Sequence, residues 1–108
     1  MGGHSVVARG EVRWIDLDRS RPVVLLNRAS VIARLSSLIV APCTTRVRGL
    51  PTEVALGPKD GMPQDCVISL DNITLVQRDA LGALITTLLD DKLDEACACL
   101  AIAVGCEL

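Results

Sequence analysis

Short apolar runs separated by turn residues dominate the chain. Residues 10–17 alternate apolar Val12 and Trp14 with polar neighbours, and this alternation predicts an opening strand. The continuous run after Pro22 predicts a buried strand that begins at that proline. Further short strands are predicted at residues 37–43, 52–56, 66–70, 73–76 and 84–86, with single helical turns at 29–35 and 79–81.

The C-terminal segment has the periodicity of a helix. Asp90 is a plausible N-cap, and Gly105 marks the stop. Four apolar residues at helical spacing predict the buried face: Leu93, Cys97, Leu100 and Val104. The pattern therefore predicts a mostly β fold, with short strands closed into a barrel and one C-terminal helix packed on it.

Length and composition fit one small aliphatic domain. The 108 residues are 50% hydrophobic and include a single aromatic residue, Trp14. We expect residues 1–108 to form one domain, with residues 1–8 flexible. With so few rings, we expect the guanidinium planes of Arg46 or Arg48 to stand in wherever a ligand needs stacking.

Charge is divided unevenly along a chain whose net charge is −2. Residues 1–48 carry eight arginines against three acids, whereas residues 49–108 carry three basic residues against ten acids. Such a split is compatible with one cationic face for phosphate groups on an acidic protein. Taken alone, it is more typical of a solvated surface of mixed charge.

The five cysteines predict neither a disulfide framework nor a metal centre. They are odd in number, have no C-x-x-C spacing, and lack a nearby histidine, since His4 is the only one in the chain. We interpret them as reduced thiols that pack in the interior, and we expect no cofactor. No apolar run reaches the 18–20 residues or so of a membrane span, and no signal peptide is recognisable, so we expect a cytoplasmic protein without a membrane partner.

Arginine and threonine are the best candidates for chemistry. Phosphate-binding glycine loops and nucleophile elbows are absent from the sequence. Arg21 opens one predicted buried strand and Thr44 follows another, so a small barrel would bring both to one rim. A guanidinium offers paired donors that match two oxygens of a phosphodiester. From the residues alone, a surface ion pair and a strand-end hydroxyl explain the two side chains better than a catalytic role does.

Five ordered segments carry a resemblance to a known family. They are GEVRWIDLD at 10–18, RPVVLL at 21–26, VAPCTT at 40–45, PTEV at 51–54 and DCVISLDNI at 65–73. In order and spacing, over roughly residues 10–105, they resemble the MazF/PemK toxins of type II toxin–antitoxin systems. The resemblance implies an SH3-like barrel of the MazF/PemK/CcdB type.

The resemblance also implies a function. It implies a homodimer that binds single-stranded RNA, a MazE-like antitoxin as partner, and metal-independent, sequence-specific cleavage of mRNA, rRNA or tRNA. Attack by the RNA 2′-hydroxyl would leave a 2′,3′-cyclic phosphate and a 5′-hydroxyl. Arg21 and Thr44 match the catalytic residues of the family pattern. The RNA-binding candidates are Arg19, Thr45, Arg46 and Asn72.

Two points stay open at this stage. The general base is unassigned, with Asp16, Asp18 and Glu53 as candidates by proximity in the chain. The turn before Arg21 lacks the longer loop, with its glutamate, of many family members, and Arg19 is predicted to supply a phosphate contact there.

Two other functional classes compete with the nuclease. One is a CcdB-like, non-enzymatic gyrase poison, and the other is a non-catalytic SH3-like interaction module. Gyrase poisons of that type act through C-terminal residues that include a tryptophan. The sequence here ends in Gly-Cys-Glu-Leu, which argues against that reading.

Overall fold

Antiparallel strands and one long helix build the fold in the computed structural model, which describes residues 6–16 and 20–106. The strands are β1 (Glu11–Asp16), β2 (Ser20–Leu25), β3 (Ser37–Thr44), β4 (Glu53–Leu56), β5 (Cys66–Ser69), β6 (Thr74–Gln77) and β7 (Leu81–Thr87). The helices are α1 (Ala29–Ile32) and α2 (Asp90–Ala103), with single 3-10 turns at Pro58–Asp60, Leu70–Asn72 and Arg78–Ala80. The predicted helical turns at 29–35 and 79–81 are therefore confirmed.

Strand β3 holds the sheet together because it pairs along both edges. One edge pairs with β2, and the other pairs first with β6 and then with β5. The order along the sheet is β4-β5-β3-β2-β1-β7, and every described pairing is antiparallel. The predicted mostly β architecture with a C-terminal helix is confirmed. The described strand pairings run from β4 at one edge of the sheet to β7 at the other, and they do not close the predicted barrel.

Two aliphatic cores lie on opposite faces of this sheet. Alternate residues of β2 serve different cores: Val24 faces the core that packs against α2, whereas Val23 and Leu25 face the core beside β6. All three are buried, which explains why β2 is a continuous apolar run and does not alternate. We call these the α2-side core and the β6-side core.

The prediction that the strand begins at Pro22 is wrong, since β2 begins at Ser20 and Pro22 pairs with Trp14 of β1. The described pairs between β2 and β3 end at Val23 and Pro42. A proline has no N–H to donate to a sheet ladder. Pro22 and Pro42 therefore stand where the β2–β3 pairing stops, and Arg21 and Thr44 lie just beyond it.

The predicted C-terminal helix is confirmed, but its buried face is shifted. Ala96 is fully buried, and Leu93 and Leu100 pack with it on the α2-side core. The predicted face residues Cys97 and Val104 are exposed instead, because the stripe through Leu93 continues at helical spacing through the small Ala96.

The ends of α2 also differ in part from the prediction. Leu89, not Asp90, holds the N-cap position, and Asp90 lies in the first turn. At the other end, Gly105 has a φ of 74°. Its N–H bonds to the carbonyl of Ile102, and the Cys106 N–H bonds to that of Ala101, a pair that forms a Schellman motif. The predicted stop at Gly105 is confirmed.

Among the described residues, no helix has the length and apolar character needed to cross a membrane.

Gly61 offers a stability test of the turn after Pro58–Asp60. Its φ is 94°, and an added Cβ would lie 2.2 Å from Oγ1 of Thr86. That hydroxyl donates to the carbonyl of Asp60, so the methyl group would displace it. We expect Gly61→Ala to lower the free energy of unfolding by about 1–3 kcal/mol more than Gly105→Ala does. Gly105 has a φ of 74° with nothing within 4 Å of an added Cβ, so it reports the backbone strain alone. Urea unfolding measures both, and equal losses would contradict the predicted clash.

Candidate functional site

An open groove of ≈ 1080 Å³ lies at the end of the sheet where the β2–β3 pairing stops. Five of the six predicted site residues line it: Arg21, Thr44, Thr45, Arg46 and Asn72. The sixth, Arg19, lies outside the described residues. Side chains from both cores contribute to the groove, including Val23 and Val76 from the β6-side core and Cys43 and Met62 from the α2-side core. The groove is therefore built partly from residues that belong to the two cores.

The strand register sets Arg21 opposite Thr44. The described pairs of β2 and β3 step from Leu25 with Val40 to Val23 with Pro42. Continuing this register by two residues places Arg21 and Thr44 directly across from each other, with their side chains on one face. Their common position in the groove agrees with that register.

The two side chains differ in how they are held. Thr44 is half-buried, and its Oγ1 accepts the backbone N–H of Arg46 at 3.1 Å. Its own hydroxyl proton is thereby left to donate to another acceptor. Arg21 is exposed, and no carboxylate of residues 20–106 forms an ion pair with it.

The segment 45–50, which we call the arginine loop, forms one wall of the groove with Arg46 and Arg48. Glu53 holds it from β4, because its Oε1 accepts the backbone N–H groups of Arg48, Gly49 and Leu50 at 3.2, 2.9 and 3.3 Å. These contacts favour a role in holding the loop over the general-base role considered for Glu53. Of the other base candidates, Asp16 ends β1 and Asp18 lies outside the described residues.

A second set of oriented polar groups lies on the turn that follows β5. Asn72 donates from Nδ2 to Oγ of Ser69 at 2.7 Å, which leaves its amide oxygen available as an acceptor. Thr52 donates from Oγ1 to Oδ2 of Asp71 at 2.6 Å. Both bonds fix side chains of the 3-10 turn Leu70–Asn72 at the rim of the groove.

The cationic half of the sequence reaches the groove only in part. Among the residues that the structure describes, three of its arginines line the groove, namely Arg21, Arg46 and Arg48, against the carboxylates Glu53 and Asp71. Others have structural contacts: Arg13 pairs with Glu11, and Arg9 donates to the carbonyl of Leu26. The groove thus has a small excess of positive charge, suited to a phosphate backbone.

Comparisons with known proteins match this fold and this part of the sequence. Residues 8–104 match the family described as PemK-like, MazF-like toxin of type II toxin–antitoxin system. The chain is 40% identical over 102 residues to the probable endoribonuclease MazF5 of Mycobacterium tuberculosis, covering 92% of this chain and 94% of that protein. The chain belongs to the PemK/MazF-like toxin family. The resemblance drawn from the five sequence segments is therefore confirmed.

Solved structures of MazF-like toxins have the same fold. The M. tuberculosis toxin MazF-mt6 superposes with a TM-score of 0.85 at 34% identity, covering 91% of this chain and 99% of that one. A mycobacterial endoribonuclease in complex with its cognate antitoxin superposes with a TM-score of 0.87 at 25% identity, covering 95% of this chain and 99% of that one.

Two thiols of this MazF-like chain meet beside the groove. A hydrogen bond with Cys66, together with burial, raises the pKa of Cys43 well above the ordinary thiol value. The same hydrogen bond lowers the pKa of Cys66. The prediction that all five cysteines pack in the interior is wrong for Cys97 and Cys106, which are exposed on and after α2.

Sequence reasoning missed several groove residues of the toxin. Gln64 and Met62 come from the loop before β5 and Ser69 from its end, and their order in the sequence gives no signal of a shared site. Trp14 of β1 is another groove residue that sequence reasoning missed. This single aromatic side chain lines the groove and is 36% exposed, so it joins the guanidinium planes of Arg46 and Arg48 as a candidate stacking surface.

Thiol reactivity tests the environment of Cys43. At pH 8 we expect iodoacetamide to modify Cys43 more slowly than Cys97 and Cys106, because Cys43 is buried and the raised pKa of its thiol leaves less thiolate. Peptide mass spectrometry over a time course measures the rates. Protein unfolded in urea is the control, and there the differences should disappear. Modification of native Cys43 as fast as of Cys97 would contradict the burial and the hydrogen bond.

Proposed function

We propose that this chain is the toxin of a type II toxin–antitoxin pair and that it cleaves single-stranded RNA at a short sequence without a metal ion. The observation that supports this most directly is that Arg21 and Thr44 line one groove together with two further arginines. The relatives named as MazF endoribonucleases support the same activity.

In the proposed reaction the RNA supplies its own nucleophile. The 2′-oxygen forms a bond to phosphorus as the bond from phosphorus to the 5′-oxygen breaks. The departing 5′-oxygen takes a proton from water, which leaves a 2′,3′-cyclic phosphate and a 5′-hydroxyl. Arg21 stabilises the negative charge that builds up on the phosphate oxygens, and Thr44 donates its free hydroxyl proton to one of them. A general base takes the 2′-proton, and Asp16 and Asp18 stay the predicted candidates. The pairing of Asp16 with Ser20, next to Arg21, supports Asp16.

The remaining groove residues hold the strand in register. Arg46 and Arg19 contact phosphates, while Thr45 and the amide oxygen of Asn72 contact sugar or base edges. Trp14 offers a partly exposed ring on which one base stacks, a contact worth about 1–3 kcal/mol in single-strand binders.

The proposed partners follow the family. The toxin acts in the cytoplasm as a homodimer, and a MazE-like antitoxin neutralises it by laying an acidic segment along the groove. A mycobacterial relative is known in complex with its cognate antitoxin, which supports that part of the proposal. The CcdB-like gyrase poison and the non-catalytic module predict no RNA cleavage, so the same assay separates all three functions.

Substitution of the paired residues tests the mechanism. We expect Arg21→Ala and Thr44→Ala each to reduce RNA cleavage by about 100–1,000-fold, because each removes one donor to the transition state. Arg34→Ala, an exposed arginine outside the groove, is the matched control and should keep the wild-type rate. Primer extension on RNA digested in EDTA measures both the rate and the ends. Intact RNA at every concentration of wild-type protein would refute the nuclease, and full activity of Arg21→Ala would refute this mechanism.

Salt dependence tests the phosphate contacts separately from chemistry. We expect the logarithm of the RNA association constant to fall linearly with the logarithm of salt concentration, because bound arginines displace condensed cations. Arg46→Ala should reduce that slope by about one relative to wild type and to Arg34→Ala. Fluorescence anisotropy with 2′-O-methylated single-stranded RNA, which cannot be cleaved, gives the slope. An affinity that does not change with salt would contradict a groove that binds phosphates.

A further inference from the structure

The arginine loop lacks regular structure of its own. Residues 46–50 form no helix or strand, every one is exposed, and Val47 is 62% accessible. A segment of this kind is mobile unless its backbone is bonded to the rest of the protein, because ordering each residue costs conformational entropy. The contacts that order it therefore decide where Arg46 and Arg48 lie.

Side chains anchor this loop at both ends. At its start, Oγ1 of Thr44 accepts the N–H of Arg46. At its end, three consecutive backbone N–H groups donate to Oε1 of Glu53, and the N–H of Arg48 also donates to Oε2 at 3.3 Å. Gly49 allows the backbone to turn toward the carboxylate, with a φ of 70° that other residues rarely adopt.

We propose that Glu53 is the residue that positions the arginine loop for RNA, holding Arg46 and Arg48 in the groove beside Thr44, and that it does not act as the general base. The inference rests on the proposed ribonuclease function. A general base must accept a proton from the substrate, whereas Oε1 of Glu53 is already surrounded by three donors. The carboxylate of Glu53 thus binds the backbone of the loop, and the arginine side chains of that loop bind RNA.

A repulsive role and a positioning role of Glu53 predict opposite changes in RNA affinity for Glu53→Gln. A carboxylate that merely lines a phosphate-binding groove repels RNA, so Glu53→Gln would tighten binding. A carboxylate that orders the arginines supports binding, so Glu53→Gln weakens it even though a negative charge is removed. The amide of glutamine is nearly the same size but is a weaker acceptor for three N–H groups.

Binding is the first measurement. The probe is a random-sequence pool of 2′-O-methylated single-stranded RNA, and the matched control is Glu95→Gln, an exposed glutamate on α2 whose loss removes the same charge away from the groove. We expect Kd to rise about tenfold in Glu53→Gln, on the scale of hydrogen bonds to a charged group, and to stay within about twofold of wild type in Glu95→Gln. Unchanged or tighter binding by Glu53→Gln would overturn the proposal.

Cleavage kinetics separate positioning from proton transfer. A positioning role raises KM in Glu53→Gln and leaves kcat within about threefold of wild type, with the shape of the pH profile of kcat retained. A fall in kcat of about 100-fold or more, with loss of the acidic limb of that profile, would assign Glu53 as the base and overturn the inference.

Limited proteolysis tests the anchor without RNA. Trypsin cuts after arginine, and both Arg46 and Arg48 lie on the exposed loop. We expect cleavage at these two residues to accelerate about tenfold in Glu53→Gln, and also in Gly49→Ala, which strains the turn without changing charge. Glu95→Gln should be cut at the wild-type rate, and equal rates in all four proteins would refute the anchor. If wild-type protein neither binds nor cleaves RNA, the proposed function fails, whereas the proteolysis result still decides whether Glu53 holds the loop.

Discussion

The rest of the structure depends on strand β3 pairing along both of its edges. Residues 37–40 of β3 pair with β6, residues 40–42 pair with β2, and residues 43–44 pair with β5. Among the described pairings, β3 is therefore the strand that joins β4 and β5 to β2, β1 and β7. Burial of Leu38, Val40 and Ala41 makes the arrangement stable, because none of them is accessible to solvent. The strand ends at Thr44, and the groove opens where its pairing with β2 runs out.

Two prolines convert that sheet edge into a site. Pro22 and Pro42 have no N–H to donate, and the described β2–β3 pairs end at Val23 with Pro42. Arg21 and Thr44 lie just beyond that ladder, where they pair with β1 and β5. The Arg21 and Thr44 side chains thereby share one groove. Preorganised donors of this kind stabilise developing charge more effectively than donors on a mobile segment.

The arginine loop shows how a flexible element acquires a fixed position next to that rigid pair. Its anchor is a carboxylate on β4, and the donors are backbone amides, so the positively charged side chains stay free to contact a ligand. The loop starts at the residue after Thr44, and Thr44 itself bonds to Arg46. A hydrogen bond therefore links the candidate catalytic hydroxyl to the loop whose arginines are proposed to bind RNA.

The sequence by itself determined the elements and the family. Continuous apolar runs predicted β2, β3 and β5, helical spacing and Gly105 predicted α2, and five ordered segments identified the toxin family that the comparisons confirm. Only the tertiary structure decided which side chains meet, because Glu53, Asn72 and Trp14 come from different elements that strand pairing brings to one edge. It also decided that Ala96 faces the core in place of Cys97, since the approach of α2 to the sheet favours the smaller side chain. Local patterns are set by the chain's own periodicity, whereas a shared groove is set by register between strands far apart in sequence.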